Sequence, residues 1–144
     1  MRGARRAAVA AVAVLLFACV AALSALPERA PKEIQIKKNP VALSDTVIAK
    51  SKTAYDENCV QCHGVEGKGD GPMSGMLKKK PADLTNPKTL VGLTDGEIYW
   101  IITKGEDPMP GFDGKLTDEE RWGLAHLMRN MSNTKPNNTP RRAN

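Results

Sequence analysis

The stretch "ENCVQCHG", residues 57–64, holds two of the three cysteines and one of the two histidines of a 144-residue chain. Cys59, Cys62 and His63 stand as Cys-x-x-Cys-His, and the chemistry that needs this spacing decides how the rest is read. A dithiol redox pair uses the same Cys-x-x-Cys, but in a strand–helix–strand context. Here the motif closes a helical pattern and runs into the glycine loop "GVEGKGDGP". A structural zinc ion needs four ligands, normally from two separated pairs, and only His126 remains to complete the set. A disulfide between Cys59 and Cys62 leaves His63 without a role.

Cys-x-x-Cys-His is the attachment signature of c-type haem. Two thiols add across the two vinyl groups of the porphyrin as thioethers, and the next residue brings an imidazole to the iron. The composition agrees. Aromatic residues make up only 4% of the chain, which is little material for a self-sufficient core. Small domains in that position need a staple or a cofactor.

A second axial ligand is sought downstream. Met73 and Met76 follow the attachment loop so soon that the chain has little length in which to cross the cofactor. Met128 and Met131 fall on the apolar stripe of the last helix, where methionine is ordinary core filler. Met109 stands between Pro108 and Pro110 in a loop flanked by Gly105 and Gly111, and a thioether fixed by rigid neighbours suits a ligand. His126 is the alternative, mid-helix at the side of the stripe, and it reads as a surface or boundary histidine.

The expected fold class is all-α, with long Gly/Pro loops. "SDTVIAKSKTAYDEN" starts at an N-cap serine, Ser44, and places apolar or small residues at 47, 48, 51, 54 and 55. Thr94 with Glu97 and Thr117 with Glu120 have capping-box spacing. Leu93 and Ile98 form a hydrophobic staple, and Gly105 is a C′ stop. The last helix carries Leu124, Leu127, Met128 and Met131 on one face.

These pieces in order, "YDENCVQCHGVEGKGDGP", "KPADLT", "LTDGEIYWIITKG", "MPGF" and "LTDEERWGLAHLMR", resemble a bacterial, mono-haem, class I cytochrome c domain. The resemblance covers residues 44–131. It implies a helical domain wrapped around one covalent haem c, with thioethers at Cys59 and Cys62. His63 is the implied proximal ligand and Met109 the distal one. It further implies that His63 donates its other ring N–H to the Pro72 carbonyl and that Tyr55 sits at a crossing of the first and last helices. Trp100 has two readings, an indole N–H donor to a haem propionate or a core tryptophan. Ser51 stands where the family often has glycine, and Leu127 where it often has an aromatic.

Iron held by His63 and Met109 has no free coordination site, so the expected function is electron transfer between redox partners and not catalysis. The haem c subunit of a larger membrane oxidoreductase is the alternative, and an open-site sensor or peroxidase a more distant one. The run Lys78, Lys79 and Lys80 reads first as a solvated face, with steering of an acidic partner as the alternative.

Residues 1–26 read as a signal peptide or membrane anchor. "MRGARR" is basic, and residues 7–26 are an apolar run with a single serine. "LFAC" adds lipidation at Cys19 as a third outcome. All three place the domain on the periplasmic side of the bacterial inner membrane. Residues 27–43, with three prolines, read as a linker, and residues 132–144 as a disordered tail. The formal charge of +5 is concentrated in the leader, so nucleic acid is not expected as a partner.

Overall fold

The computed structural model describes residues 29–135 and residue 139. The apolar run 7–26, Cys19 and most of the C-terminal tail lie outside the described residues. Among the described residues no helix is long and apolar enough to cross a membrane.

Among the described residues six α-helices follow in order: α1 (Lys32–Gln35), α2 (Asp45–Asn58), α3 (Val60–His63), α4 (Pro87–Leu90), α5 (Asp95–Lys104) and α6 (Asp118–Met131). A single 3₁₀ turn spans Ser74–Met76. The expected all-α class gains one small feature, an antiparallel pair of two-residue strands, β1 (Gly105–Glu106) and β2 (Met109–Pro110).

The helix starts are where the capping residues put them. The Ser44 hydroxyl accepts from the Val47 amide at the head of α2. Thr94 and Glu97 bond reciprocally at the head of α5, and Thr117 and Glu120 do so at the head of α6. Each such cap satisfies amides that the first turn leaves without an intrahelical partner, and is worth about 1 kcal/mol. Gly105, at φ +78°, ends α5 in a conformation that a side chain would oppose.

Helices α2 and α6 cross closely. The crossing is built from small groups: a Cβ on Gly123 would lie 2.4 Å from the Ser51 hydroxyl oxygen. Tyr55, Leu124 and Ala125 are fully buried beside it. The Leu127 side chain is also buried, so its smaller bulk relative to an aromatic leaves no exposed seam. Helix α6 is held to the head of α5 by Arg129, whose Nε donates to Asp95 at 2.9 Å. Its terminal nitrogens donate to the Leu90 and Leu93 carbonyls. Arg129 and Asp95 are both buried, so the extra carbonyl acceptors matter: they satisfy protons that the carboxylate does not reach.

The segment expected to be a free linker is instead part of the folded unit. Helix α1 packs on α5, with Ala30 buried. Asn39 Nδ2 donates to the Trp122 carbonyl at 2.9 Å, and His126 Nε2 lies 2.7 Å from the Val41 carbonyl. His126 is therefore not a surface histidine. It is 7% exposed and ties residues 39–41 to α6. The sequence pattern missed this strap because its contacts are made by backbone carbonyls and two isolated polar side chains, with no apolar period to betray them.

The strap depends on Gly96. A Cβ there would stand 1.7 Å from the Ile34 carbonyl oxygen, a backbone atom that cannot swing aside. Gly96→Ala is expected to displace α1 and to cost about 1–3 kcal/mol, as overpacking does. Amide exchange at residues 34–37 should speed up sharply while the α2 and α6 amides keep their protection. Unchanged protection at 34–37 would contradict this packing.

Candidate haem-binding site

Helix α2 leads directly to the motif. The Cys59 amide bonds to the Tyr55 carbonyl at 2.8 Å, and the His63 amide to the Cys59 carbonyl at 2.9 Å. Helix α3 thus presents Cys59, Cys62 and His63 within one turn, and Gly64, at φ +80°, ends it. The loop that follows folds back on the motif. The Gly69 amide donates to the His63 carbonyl, the Gly71 amide to the Cys62 carbonyl, and the Leu84 amide to the Gly67 carbonyl. A Cβ on Gly71 would lie 2.4 Å from the Val60 carbonyl oxygen, so this return is open only to glycine. Tyr55 completes the frame. Its buried hydroxyl donates to the Gly64 carbonyl at 2.8 Å.

The three motif side chains line a cavity of about 400 Å³ in the middle of the domain. Leu84, Leu90, Ile98, Ile102, Phe112 and Met128 form its apolar wall. Met109, held between Pro108 and Pro110 on β2 and the turn before it, lines the same cavity. Lys79, Lys80 and Glu106 also line it and are exposed to solvent. Protein interiors are close-packed, with few voids larger than a water molecule. An apolar hollow of this size in so small a domain is a cofactor site and not a packing defect. The donor set fits haem c: two thiols and an imidazole on one turn, a thioether on a separate segment, and hydrocarbon between. Among the described residues Cys59 and Cys62 are free thiols, and no cluster of His, Cys, Asp and Glu is grouped as a metal site.

The His63 ring is oriented by the protein. Nδ1 lies 3.1 Å from the Ala82 carbonyl oxygen. Since a carbonyl only accepts, Nδ1 carries the proton and Nε2 is left with its lone pair. The expected partner was Pro72. Pro72 is exposed and receives no such bond; the "PADL" segment reaches the ring because the Leu84 amide docks on Gly67. Burial lowers the His63 pKa, and the bond to Ala82 partly opposes that. The result is a neutral imidazole at pH 7, the form a metal binds. Burial also pushes the Cys59 thiol up to about 11, with Cys62 adding to the rise and Lys115 opposing it.

Trp100 does not line the cavity. Its Nε1 is buried without a hydrogen-bond partner, and the Lys104 ammonium sits 5.4 Å from its ring centroid. Met73 and Met76 are 42% and 73% exposed and also stay off the cavity wall. Met128 is at the wall as core filler. Sequence reasoning missed Ala82, because only a backbone atom acts there and alanine gives no sign of it.

A Cys-x-x-Cys-His turn opening on an apolar cavity inside a helical shell, with a methionine on the same cavity, defines a c-type cytochrome domain. The chain belongs to the family described as cytochrome C oxidase, cbb3-type, subunit III, which it matches over residues 46–128. It is similar to the Cbb3-type cytochrome c oxidase subunit FixP of Azorhizobium caulinodans, 32% identical over 129 residues, covering 83% of this chain and 41% of that protein. It is also similar to cytochrome c6 of Diacronema lutheri, 30% identical over 73 residues, covering 51% of this chain and 82% of that protein. Among solved structures, a chain of the reducing HAO-like protein complex of Kuenenia stuttgartiensis superposes with a TM-score of 0.58 at 34% identity. That match covers 66% of this chain and 49% of the other. The chain therefore spans less than half the length of FixP. Covalently bound haem c and haem c electron transfer are what that family implies.

Tyr55 gives a test of the frame that does not need the cofactor's chemistry. Its hydroxyl pKa is raised, first by burial and then by the nearby Cys59, Asp56 and Asp70. In the unfolded chain it ionises near 10; in the folded one it stays protonated. Its stabilising contribution is therefore complete below about pH 10 and lost as pH rises beyond it. Tyr55→Phe should cost about 1 kcal/mol at pH 7 and should flatten the alkaline fall in stability, both read by urea unfolding between pH 7 and 11. An unchanged alkaline slope would show that the hydroxyl is not held as described.

Proposed function

We propose that the domain is a mono-haem electron-transfer unit, with the cofactor attached at Cys59 and Cys62 and its iron held by His63 Nε2 and Met109 Sδ. The observation that carries this reading is that one apolar cavity is lined by both thiols, by a histidine whose Nδ1 is committed to Ala82, and by a methionine fixed between two prolines. When bound, haem c supplies a one-electron Fe(II)/Fe(III) couple. The chain's own residues do the rest. Helix α3 sets the sulfurs and the imidazole on one turn. The Ala82 carbonyl fixes the ring and raises its basicity as a ligand. The apolar wall excludes water, which limits solvent rearrangement when charge changes. The Met109 thioether favours the reduced state and raises the potential.

With His63 and Met109 holding the iron, no position would be left on it for substrate, and the domain would be an electron carrier and not an enzyme in its own right. The proposed location is the periplasmic side of the bacterial inner membrane, with residues 7–26 as leader or anchor. The family and the similarity to an oxidase subunit favour a second form of the same reading, in which the domain passes electrons inside a membrane complex. The strap at residues 30–41 fits that form, since it holds the chain leading into the domain against α5 and α6. The open-site sensor or peroxidase reading is disfavoured by Met109 on the cavity wall.

Met109→Ala is the test. The variant should keep covalent haem, because attachment depends on Cys59, Cys62 and His63. It should lose the thioether-to-iron absorption of the ferric protein, show a lower reduction potential, and bind carbon monoxide readily when reduced. Met73→Ala, Met76→Ala and His126→Ala should leave that absorption in place. Loss of the band in one of those three, with Met109→Ala unaffected, would overturn the ligand assignment. Ready carbon monoxide binding by the unmutated protein would overturn the carrier reading.

A further inference from the structure

Two chain segments face the cavity mouth and are rooted in different parts of the fold. One is residues 77–82, which contributes Leu77, Lys79, Lys80, Pro81 and Ala82 to the lining. Its base is fixed to the motif loop by the Ala82 carbonyl on His63 and the Leu84 amide on Gly67. The other is the hairpin of β1 and β2, which carries Met109. Its root is fixed to α5 by the Phe112 amide on the Ile102 carbonyl and the Asp113 amide on the Thr103 carbonyl.

Lys79 Nζ and Glu106 Oε1 meet at 3.1 Å between these segments. Among the described residues no other hydrogen bond or ion pair joins residues 77–82 to the hairpin. Glu106 is the residue that faces Met109 in the strand register. A pull on Glu106 is therefore passed directly to the methionine's backbone. From these observations we infer that Lys79 and Glu106 form a latch that holds the Met109 hairpin closed over the cavity mouth. They act as positioning residues for the thioether. The inference rests on Met109 being the axial ligand.

The pair is exposed, 67% at Lys79 and 48% at Glu106, so the latch is weak by construction. Exposed pairs are worth little and are screened by salt. Breaking it changes how often the hairpin opens, not whether the domain folds. The same exposure lets ionic strength, or a charged partner arriving at the mouth, compete for either half.

Glu106→Gln and Lys79→Gln separate a latch from a simple charge effect. The two variants change the local charge in opposite directions, so they should move the reduction potential in opposite directions. A latch is broken equally by both. In the ferric holoprotein, imidazole entry at the iron should speed up by roughly two- to fivefold in each variant, with faster amide exchange in residues 105–111. Raising the salt should speed entry in the unmutated protein and have little effect in the variants. The double variant Lys79→Glu with Glu106→Lys should return the rate to its original value. Opposite changes in entry rate, no change in either variant, or a swapped pair that remains fast would each overturn the latch. Met109→Ala run in parallel keeps the two readings apart. If it leaves entry unchanged, the axial assignment itself fails; if it opens the site while the latch variants do not, the latch alone fails.

Discussion

A hollow in the core sets the terms for the rest of this fold. Leu84, Leu90, Ile98, Ile102, Phe112 and Met128 gather around a cavity of about 400 Å³ that none of their side chains fills. The cost of leaving apolar walls without contact is high, because packed interiors draw stability from dense contact. A chain with 4% aromatic residues has nothing large to put there. The domain is therefore built for a guest that supplies its own hydrocarbon and bonds itself in place. Its short helices and long loops make sense as a shell.

The shell has an order of rigidity. The α2–α6 crossing is the firm part, close because Gly123 and Ser51 are small, and α6 is in turn locked to the head of α5 by Arg129, which reaches Asp95 and the two carbonyls beside it. The motif turn is attached to it through the continuous chain from α2 and through the Tyr55 hydroxyl. The side carrying Met109 is more lightly built: a hairpin of two two-residue strands, joined to residues 77–82 by one exposed ion pair among the described residues.

Much of this was legible in the sequence, because the readable features are local. Capping boxes at Thr94 and Thr117, the N-cap at Ser44 and the glycine stop at Gly105 each act within four residues, and each appears as read. The spacing of Cys59, Cys62 and His63 reports a chemistry, so it too survives without knowledge of the fold. What was hidden depends on backbone atoms meeting across long separations. The Ala82 carbonyl under His63, the Val41 carbonyl under His126 and the Ile34 carbonyl against Gly96 have no side-chain signature. Pro72 was expected by analogy of position, and the path of the "PADL" loop puts the Ala82 carbonyl on His63 in its place.

The central claim is that the cavity holds one haem, bonded through two sulfurs on one turn. The intact mass of the purified protein, measured after denaturation in acid and organic solvent, tests it most directly. The account predicts a single species carrying the mass of one haem, with no free thiol at Cys59 or Cys62 on alkylation. A polypeptide mass without haem, with both thiols open to alkylation or joined as a disulfide, would contradict it.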